Sequence, residues 1–476
     1  METSKRAESL SYSHVNEKNS IKKDAQQFDD TQEYDYDHLW DEAGLEEISR
    51  YNRGGFHPIH IEDVLNDRFK VVHKLGNGGF GTVWLCRDLQ LEKWRAVKVI
   101  AADASSDSTE VEMFEFLMTN SSREELDQNH ITVPLESFWI DGPNGRHLCL
   151  VMQVYGFPTC HWRLCLDNLD PSTKKDSTEV CGQIVQALAF LHEKGVCHGD
   201  FRPNNILMKL DQDALQKLDE AEMDKLLVEA EIWDVQTKSG ESPRPKGPDY
   251  CVVPVNPEWC EKLLIPEIAV VDFGESFLTK NPRKFTGIPR GYAGPEVLFR
   301  QANGVSVDSW SLACTIYEVR TGEQLFGGRI SFEGTRFDQI VTEIIDILGP
   351  LPEPYQKAWY NAVFGDSRPK SDHVEKTGRG DPLEAILGAE RVQYPPYFGP
   401  NSSDPPTKYH YAREEVLLLA DLLRNLLKYD LEERLGADSV LQHPWLQNTA
   451  ASQKSRSQVN DCEPSLMKKV LGMFWG

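Results

Sequence analysis

No stretch of about 18 uninterrupted apolar residues occurs in the 476-residue chain, so no segment is long and apolar enough to span a bilayer as a helix. The opening METSKRAESLSYSHVNEKNS has no apolar core of the kind a secretory signal needs, and an intracellular, soluble protein is the expectation. Ten cysteines are scattered without a CxxC pair, and the nearest two, Cys160 and Cys165, have neither a second pair nor a nearby histidine pair to complete a zinc site. They are expected to be reduced and mostly buried. Cations are scarce as well: 51 lysines and arginines face 75 aspartates and glutamates, a formal charge of -24. That balance argues against direct nucleic-acid binding or an anionic membrane surface and favours basic ligands. No internal repeat marks a solenoid. What remains, 40% apolar and 26% charged, is the composition of a globular chain long enough for more than one packed unit.

The first fifty residues are polar, acidic and without apolar periodicity, and are expected to form a disordered or loosely docked tail. From Arg68 the segments RFKVVHKLG, GTVWLCRDL and WRAVKVIAA resemble short antiparallel strands. Asp107-Ser108-Thr109-Glu110 then forms a capping-box pattern before a helix that carries Val111, Phe114, Leu117 and Met118 at helical spacing. After the strand HLCLVMQVYG the pattern turns helical in VCGQIVQALAFLHEKG, DSWSLACTIYEVRTG, FDQIVTEIIDILG and REEVLLLADLLRNLLKYD. A β-rich lobe over 51–155, including its lead-in, and a helical lobe over 156–446 follow, with a C-terminal tail from 447. Within the second lobe, about 210–262 starts as a charged helix and passes into SGESPRPKGPDY, an insert expected to lie solvated on the surface.

Between two strands lies Gly76-Asn77-Gly78-Gly79-Phe80-Gly81-Thr82-Val83, whose missing side chains would let backbone N–H groups approach phosphate. Alone it could equally be a flexible hairpin. Ala96-Val97-Lys98 in the third strand strengthens it, because Lys98 could reach phosphate oxygens from below. Such a lysine needs a buried carboxylate, and Glu110 qualifies, since Met113, Phe114 and Leu117 at i+3, i+4 and i+7 turn it inward. Glu112 is the weaker candidate. In His198-Gly199-Asp200-Phe201-Arg202-Pro203-Asn204-Asn205, Asp200 can orient or deprotonate a hydroxyl, Arg202 can meet a phosphoryl group, and Asn205 can offer a carbonyl oxygen to Mg²⁺. By itself the segment could be a polar turn with an Asx cap. Ile268-Ala269-Val270-Val271-Asp272-Phe273-Gly274, an apolar strand ending in a carboxylate, supplies a second oxygen ligand. Hard oxygen ligands beside a phosphate cradle mean magnesium and a nucleotide.

This ordered series resembles a eukaryotic-type protein kinase from about Arg68 to Trp445, and the resemblance implies an α+β, two-lobed fold. Gly294-Pro295-Glu296 resembles the family's Ala-Pro-Glu element, Asp308-Ser309-Trp310-Ser311 the start of its central C-lobe helix, and Arg434 the arginine that pairs with Glu296. Tyr51–Ile59, NGRHLCLVMQVYG, the insert and GPLPEPY resemble the serine/arginine-rich protein kinases in their fungal-like branch. The resemblance implies an ATP- and Mg²⁺-dependent serine/threonine kinase acting on Arg/Ser-rich, basic proteins, tied to mRNA splicing and located in cytoplasm or nucleus. By the same comparison Lys98 and Glu110 pair to hold the α- and β-phosphates, Asp200 is the catalytic base, and Asn205 and Asp272 bind the metal. Leu75, Gly76, Asn77, Gly78, Gly79, Phe80, Gly81, Val83 and Ala96 then enclose the nucleotide, with Met152 as gatekeeper and Gln153 to Tyr155 as the hinge.

Two departures stand out. Gly199 replaces the family's arginine before the catalytic aspartate, so no cation there can clasp a phosphorylated activation loop, and Arg202 replaces a lysine. His57 and His73 are expected to be structural or surface residues and Cys197 a buried thiol. Two rival functions are a small-molecule phosphotransferase of the aminoglycoside or choline kinase type, which generally lacks the Gly-Pro-Glu and Asp-x-Trp elements, and a pseudokinase scaffold.

Overall fold

Alternation along WRAVKVI sends Trp94, Ala96, Lys98 and Ile100 to one side of a strand and Val97 and Val99 to the other, so both faces of any sheet it enters must be covered. The computed structural model describes residues 35–36, 44–160, 174–283, 286–301, 304–327, 337–364, 383–393 and 407–447. In it, β1 (Val64–Leu65), β2 (Phe69–Gly78), β3 (Gly81–Asp88), β4 (Lys93–Ile100), β5 (Glu136–Gly142) and β6 (Gly145–Met152) form one antiparallel sheet in the order β1-β2-β3-β4-β6-β5. Beneath one face lies the Thr109–Asn120 helix, which packs Met113, Phe114 and Leu117 against Leu85, Ile100, Leu148 and Leu150. The opposite face carries Phe69, Val71, Trp84, Val97, Val99 and Val151.

Val252 and Ile59 cover that opposite face, and this corrects the view of 210–262 as a solvated surface insert. The charged helix expected there resolves into Gln212–Leu215 and Glu220–Leu227, followed by the hairpin of β9 (Ile232–Asp234) and β10 (Tyr250–Val252). Met223, Leu227, Trp259 and Cys260 join the main core. Trp94 is tied to the insert through its backbone N–H to Gln216 at 2.8 Å and its indole N–H to Leu218 O at 2.9 Å. The physical reason is the second apolar sheet face: leaving it wet would forgo roughly 1.5–3 kcal/mol for each large side chain.

The tail also needs correction. Residues 1–34 and 37–43 lie outside the described residues, but Ile48, Tyr51 and Phe56 pack with Tyr36, Ala101, Val235 and Cys251 in a small core of their own. The C-terminal tail beyond Gln447, including MKKVLGMFWG, also lies outside the described residues. The capping box shifts as well: Ser108, not Asp107, caps the helix by accepting from Val111 N at 3.4 Å, which frees Glu110 to turn inward.

In the second lobe the Lys174–Glu193 helix packs on the Val305–Thr321 helix, which is buried along almost its whole length. The Phe337–Leu348 and Arg413–Leu426 helices follow, so all four long helices expected from periodicity form. Short strands β7 (Val196–Cys197), β8 (Ile206–Leu210), β11 (Leu264–Val270) and β12 (Phe277–Leu278) pair as β7 with β12 and β8 with β11. They carry the polar loops that follow Cys197 and Val270 to the lobe boundary. Among the described residues no helix is long and apolar enough to cross a membrane, and every described cysteine is a free thiol, buried except for Cys160. Cys165 and Cys462 lie outside the described residues.

Candidate active site

The β2–β3 turn has two kinds of glycine. A Cβ on Gly76, Gly78 or Gly79 would meet no atom within 4 Å, whereas one on Gly81 would lie 2.3 Å from Val99 O. Gly81 is therefore required by the close approach of β4, and the other three border open space that a phosphate chain fits. Phe80 at the tip is exposed and stands over Gly274. Leu75 and Val83 are half-buried, and in the sheet register Val83 faces Lys98 while Ala96 faces Met152. Gln153 is exposed and Tyr155 half-buried in the connection that follows.

Lys98 donates to both Glu110 oxygens, at 2.7 and 3.0 Å, and to Asp272 Oδ1 at 2.9 Å. Burial opposes the ammonium, but Asp272 and Glu110 outweigh it and hold Lys98 protonated well past the ordinary lysine range. Burial likewise raises Glu110. It works against Asp272 too, yet there the Lys98 ammonium prevails and the carboxyl stays below the usual carboxylate range. Glu112 is exposed on the far side of its helix.

The second cluster forms around Asp200. Arg202 Nε donates to its two oxygens at 3.0 and 3.2 Å, and Asn205 Nδ2 donates to Oδ2 at 2.7 Å and to the Asp200 carbonyl at 2.8 Å. With its nitrogen committed to Asp200, Asn205 has its carbonyl oxygen to offer a cation. Val271 N donates to Asn205 O at 2.9 Å, which ties the Asp272 loop to the Asp200 loop. Burial is the main effect on Asp200 and raises its pKa above the ordinary value, opposed by Arg202 and His198. Oxygen donors from Asp272 and Asn205 beside an open glycine cradle fit a magnesium nucleotide.

Sequence reasoning left out the residues that hold these clusters in register. Phe273 packs edge-on against Phe114 at 5.5 Å and at a tilt against His198 at 5.1 Å, so one buried ring links the Glu110 helix, the Asp272 turn and the Asp200 loop. Asp308, noted only as a helix start, accepts from His198 N at 2.7 Å, Gly199 N at 2.9 Å and His192 Nε2 at 3.0 Å. A carboxylate in the first turn of a helix rich in apolar residues was the available signal. Arg434 meets Glu296 through paired contacts of 2.5 and 2.7 Å and also donates to Ser306 O at 2.9 Å, with both charged side chains essentially sealed from solvent.

This geometry agrees with what the chain is similar to. It belongs to the family described as the protein kinase domain, whose model matches residues 69–219 and 261–446. The unmatched gap is the heart of the insert. The serine/threonine-protein kinase SRPK of Physarum polycephalum is 26% identical, covering 83% of this chain and 90% of that protein. Human SRSF protein kinase 3 is 22% identical, covering 85% of this chain and 91% of its own. A crystal structure of a kinase domain superposes with a TM-score of 0.52 at 20% identity, over 82% of this chain and 98% of that one, which supports the two-lobed α+β fold. Protein kinase domains as a family use a nucleoside triphosphate and a divalent metal and act on protein substrates.

Proposed function

We propose that this protein kinase transfers the γ-phosphoryl of ATP to serine or threonine hydroxyls in basic, Arg/Ser-rich proteins of the cytoplasm or nucleus. The observation that carries the proposal is Lys98 held between Glu110 and Asp272, with Asp200 braced by Arg202 and Asn205 on the adjoining loop. Lys98 would hold the α- and β-phosphates, glycines 76, 78 and 79 would let the backbone of their turn close over the phosphate chain, and Val83 and Ala96 would lie above the adenine. Asp272 and the Asn205 carbonyl would hold magnesium. That ion, when bound, supplies charge neutralisation for phosphoryl transfer. Asp200 accepts the proton of the attacking hydroxyl as the new oxygen–phosphorus bond forms and the bond from the γ-phosphorus to the β-phosphate oxygen breaks, releasing ADP, and Arg202 limits where that carboxylate can point.

The Arg/Ser class rests on similarity to kinases named for such substrates and on the acidic excess of the chain. The buried Glu296–Arg434 pair weighs against a small-molecule phosphotransferase, because it fixes an element that those enzymes generally lack. The Lys98–Asp272 contact at 2.9 Å, beside the Lys98–Glu110 pair, favours an active enzyme over a pseudokinase scaffold, because phosphate-positioning and metal-binding groups are both in place. The lobes are proposed to divide at Tyr155, with the first lobe extended back to Gly44. The test is transfer of radiolabelled phosphate from MgATP to an Arg-Ser peptide, with Asp200→Ala as control. Steady turnover by the wild type and loss by the variant is expected; ATP binding without turnover would mean a scaffold.

A further inference from the structure

The protein kinase model begins at residue 69, yet a segment ahead of it reaches the phosphate turn. Lys74, two residues before Gly76, is completely buried in β2, and its ammonium meets Glu46, itself buried. The other Glu46 oxygen accepts from Tyr51 Oη at 2.5 Å, and the Tyr51 carbonyl accepts from Tyr36 Oη at 2.8 Å. Asn77, inside the glycine turn, has its carboxamide between two backbone groups of the same segment. With the carboxamide turned so that both of its ends are satisfied, its nitrogen donates to Gly44 O at 2.9 Å and its oxygen accepts from Glu46 N at 3.3 Å. From the other side, Val255 N of the insert donates to Lys74 O at 2.9 Å.

The segment is tied at its far end too. Ala102 N donates to Gly55 O at 3.0 Å and Asp103 N to Gly54 O at 2.7 Å, just beyond the strand that carries Lys98. Asn144 Nδ2 joins Phe56 O and the insert's Lys246 O at 2.7 and 2.8 Å. Residues 44–56 thus bridge the start of the glycine turn, the insert and the chain leading to the Glu110 helix.

We infer that Glu46 is a positioning residue for ATP: paired with Lys74, it fixes the backbone of Gly44–Glu46, and that backbone holds Asn77 and so sets the height of the glycine turn over the phosphates. The inference rests on the kinase function proposed above and concerns how tightly, not whether, nucleotide binds. A glycine-rich turn is intrinsically loose, and each conformation it samples outside the binding-competent one lowers apparent affinity in proportion. A buried ion pair is a suitable anchor because neither partner can leave without stranding the other's charge in the core.

The test is Glu46→Ala in the full chain, with Kd for MgATP measured directly by calorimetry beside KM for ATP, KM for peptide and kcat. We expect ATP binding about tenfold weaker, with kcat and the peptide KM within about twofold of wild type. Glu46→Leu combined with Lys74→Met and Tyr51→Phe replaces the pair, and the buried hydroxyl that donates to Glu46, by apolar groups of similar volume; it should recover the melting temperature and most of the ATP affinity, because the Gly44–Glu46 backbone is again seated. A folded Glu46→Ala protein with a lowered melting temperature but unchanged Kd for ATP would overturn the inference and leave the pair merely structural. So would a stable triple variant that still binds ATP weakly. Because Kd is read without turnover, a wild type that binds ATP and transfers nothing would count against the kinase function alone.

Discussion

The backbone of Gly199 runs so close to Glu275 that a Cβ at position 199 would lie 2.4 Å from the Glu275 carbonyl oxygen, at a φ of +78°. The missing cation before Asp200 is therefore a packing requirement of this chain: any side chain would be strained by roughly 1–2 kcal/mol and would collide as well. The segment after Asp272 is held by other means. Glu275 accepts from Gly287 N at 2.9 Å, and Arg283 reaches Glu275, Gly274 O and Thr109 at the start of the Glu110 helix. None of these contacts needs a phosphate. Phosphatase-treated enzyme should keep its rate, and Gly199→Arg should lower both melting temperature and turnover. A large drop after phosphatase treatment, restored by rephosphorylation, would contradict this account.

Lys98→Met and Asp272→Ala should each lower kcat by at least about a hundredfold with little change in far-ultraviolet circular dichroism, since they remove phosphate positioning and a metal ligand rather than core packing. Glu110→Ala should do similar but smaller damage, because Asp272 still holds Lys98 on one side. Glu112→Ala should be close to neutral, as that side chain is exposed. Near-normal turnover of purified Lys98→Met would remove the basis for the whole site.

The residues that meet at the candidate site were legible because they sit in short ordered motifs between strongly periodic elements, and Glu110 could be preferred over Glu112 from its apolar neighbours alone. The packing of the insert was not legible. Its Pro, Gly, Ser and charged residues describe the surface of a hairpin truthfully, but the residues that matter, Val235, Cys251 and Val252, are too few to make a pattern. The complementary signal lay elsewhere: Trp84, Val97 and Val99 leave the first sheet with a second apolar face and no helix in sequence to cover it. The end of the tail misled for the same reason, since Tyr36 and Ile48 stand apart among polar residues and become part of a core only beside the insert.

Replacing about 210–262 by a Gly/Ser linker should accordingly unfold or severely weaken the first lobe. Uncovering several large side chains at roughly 1.5–3 kcal/mol each approaches the whole net stability of a domain. Val252→Ala, a milder probe, should cost about 1–3 kcal/mol in chemical denaturation. A soluble deletion protein with wild-type denaturation midpoint and ATP affinity would show that the insert only rests on the sheet.

Asp200 should impose an acid limb on kcat/KM at a pH above the usual aspartate range. Burial favours its neutral form, and the neutral form cannot take the hydroxyl proton, so the rate falls as pH drops through the raised pKa. Arg202 opposes that rise. Arg202→Met should therefore move the acid limb to higher pH in addition to slowing the reaction, whereas a merely structural arginine would lower the rate equally at every pH. The measurement is a kcat/KM profile for both proteins at constant ionic strength.

Substrate choice is predicted to follow the charge of the chain and, locally, Arg290 just before Gly294. With 24 more acidic than basic residues, the chain attracts a basic peptide at long range, and each peptide arginine that meets a carboxylate in a fork adds affinity and register. Arg290 opposes this locally. It is exposed beside the Phe337 ring, at 5.7 Å, four residues before Gly294, where the residue after the phosphoacceptor is expected. Arginine should thus be favoured more firmly upstream of the serine than immediately downstream, and Arg290→Ala should relax the downstream restriction without changing ATP affinity. Arg-Ser, acidic and proline-directed peptides compared at low and raised salt will decide the point. Faster phosphorylation of the Arg-Ser peptide is expected, with an advantage that shrinks as salt screens the charges over about 10 Å or less. Equal rates on all three, or preference for the acidic peptide, would mean that the catalytic machinery serves a different substrate class.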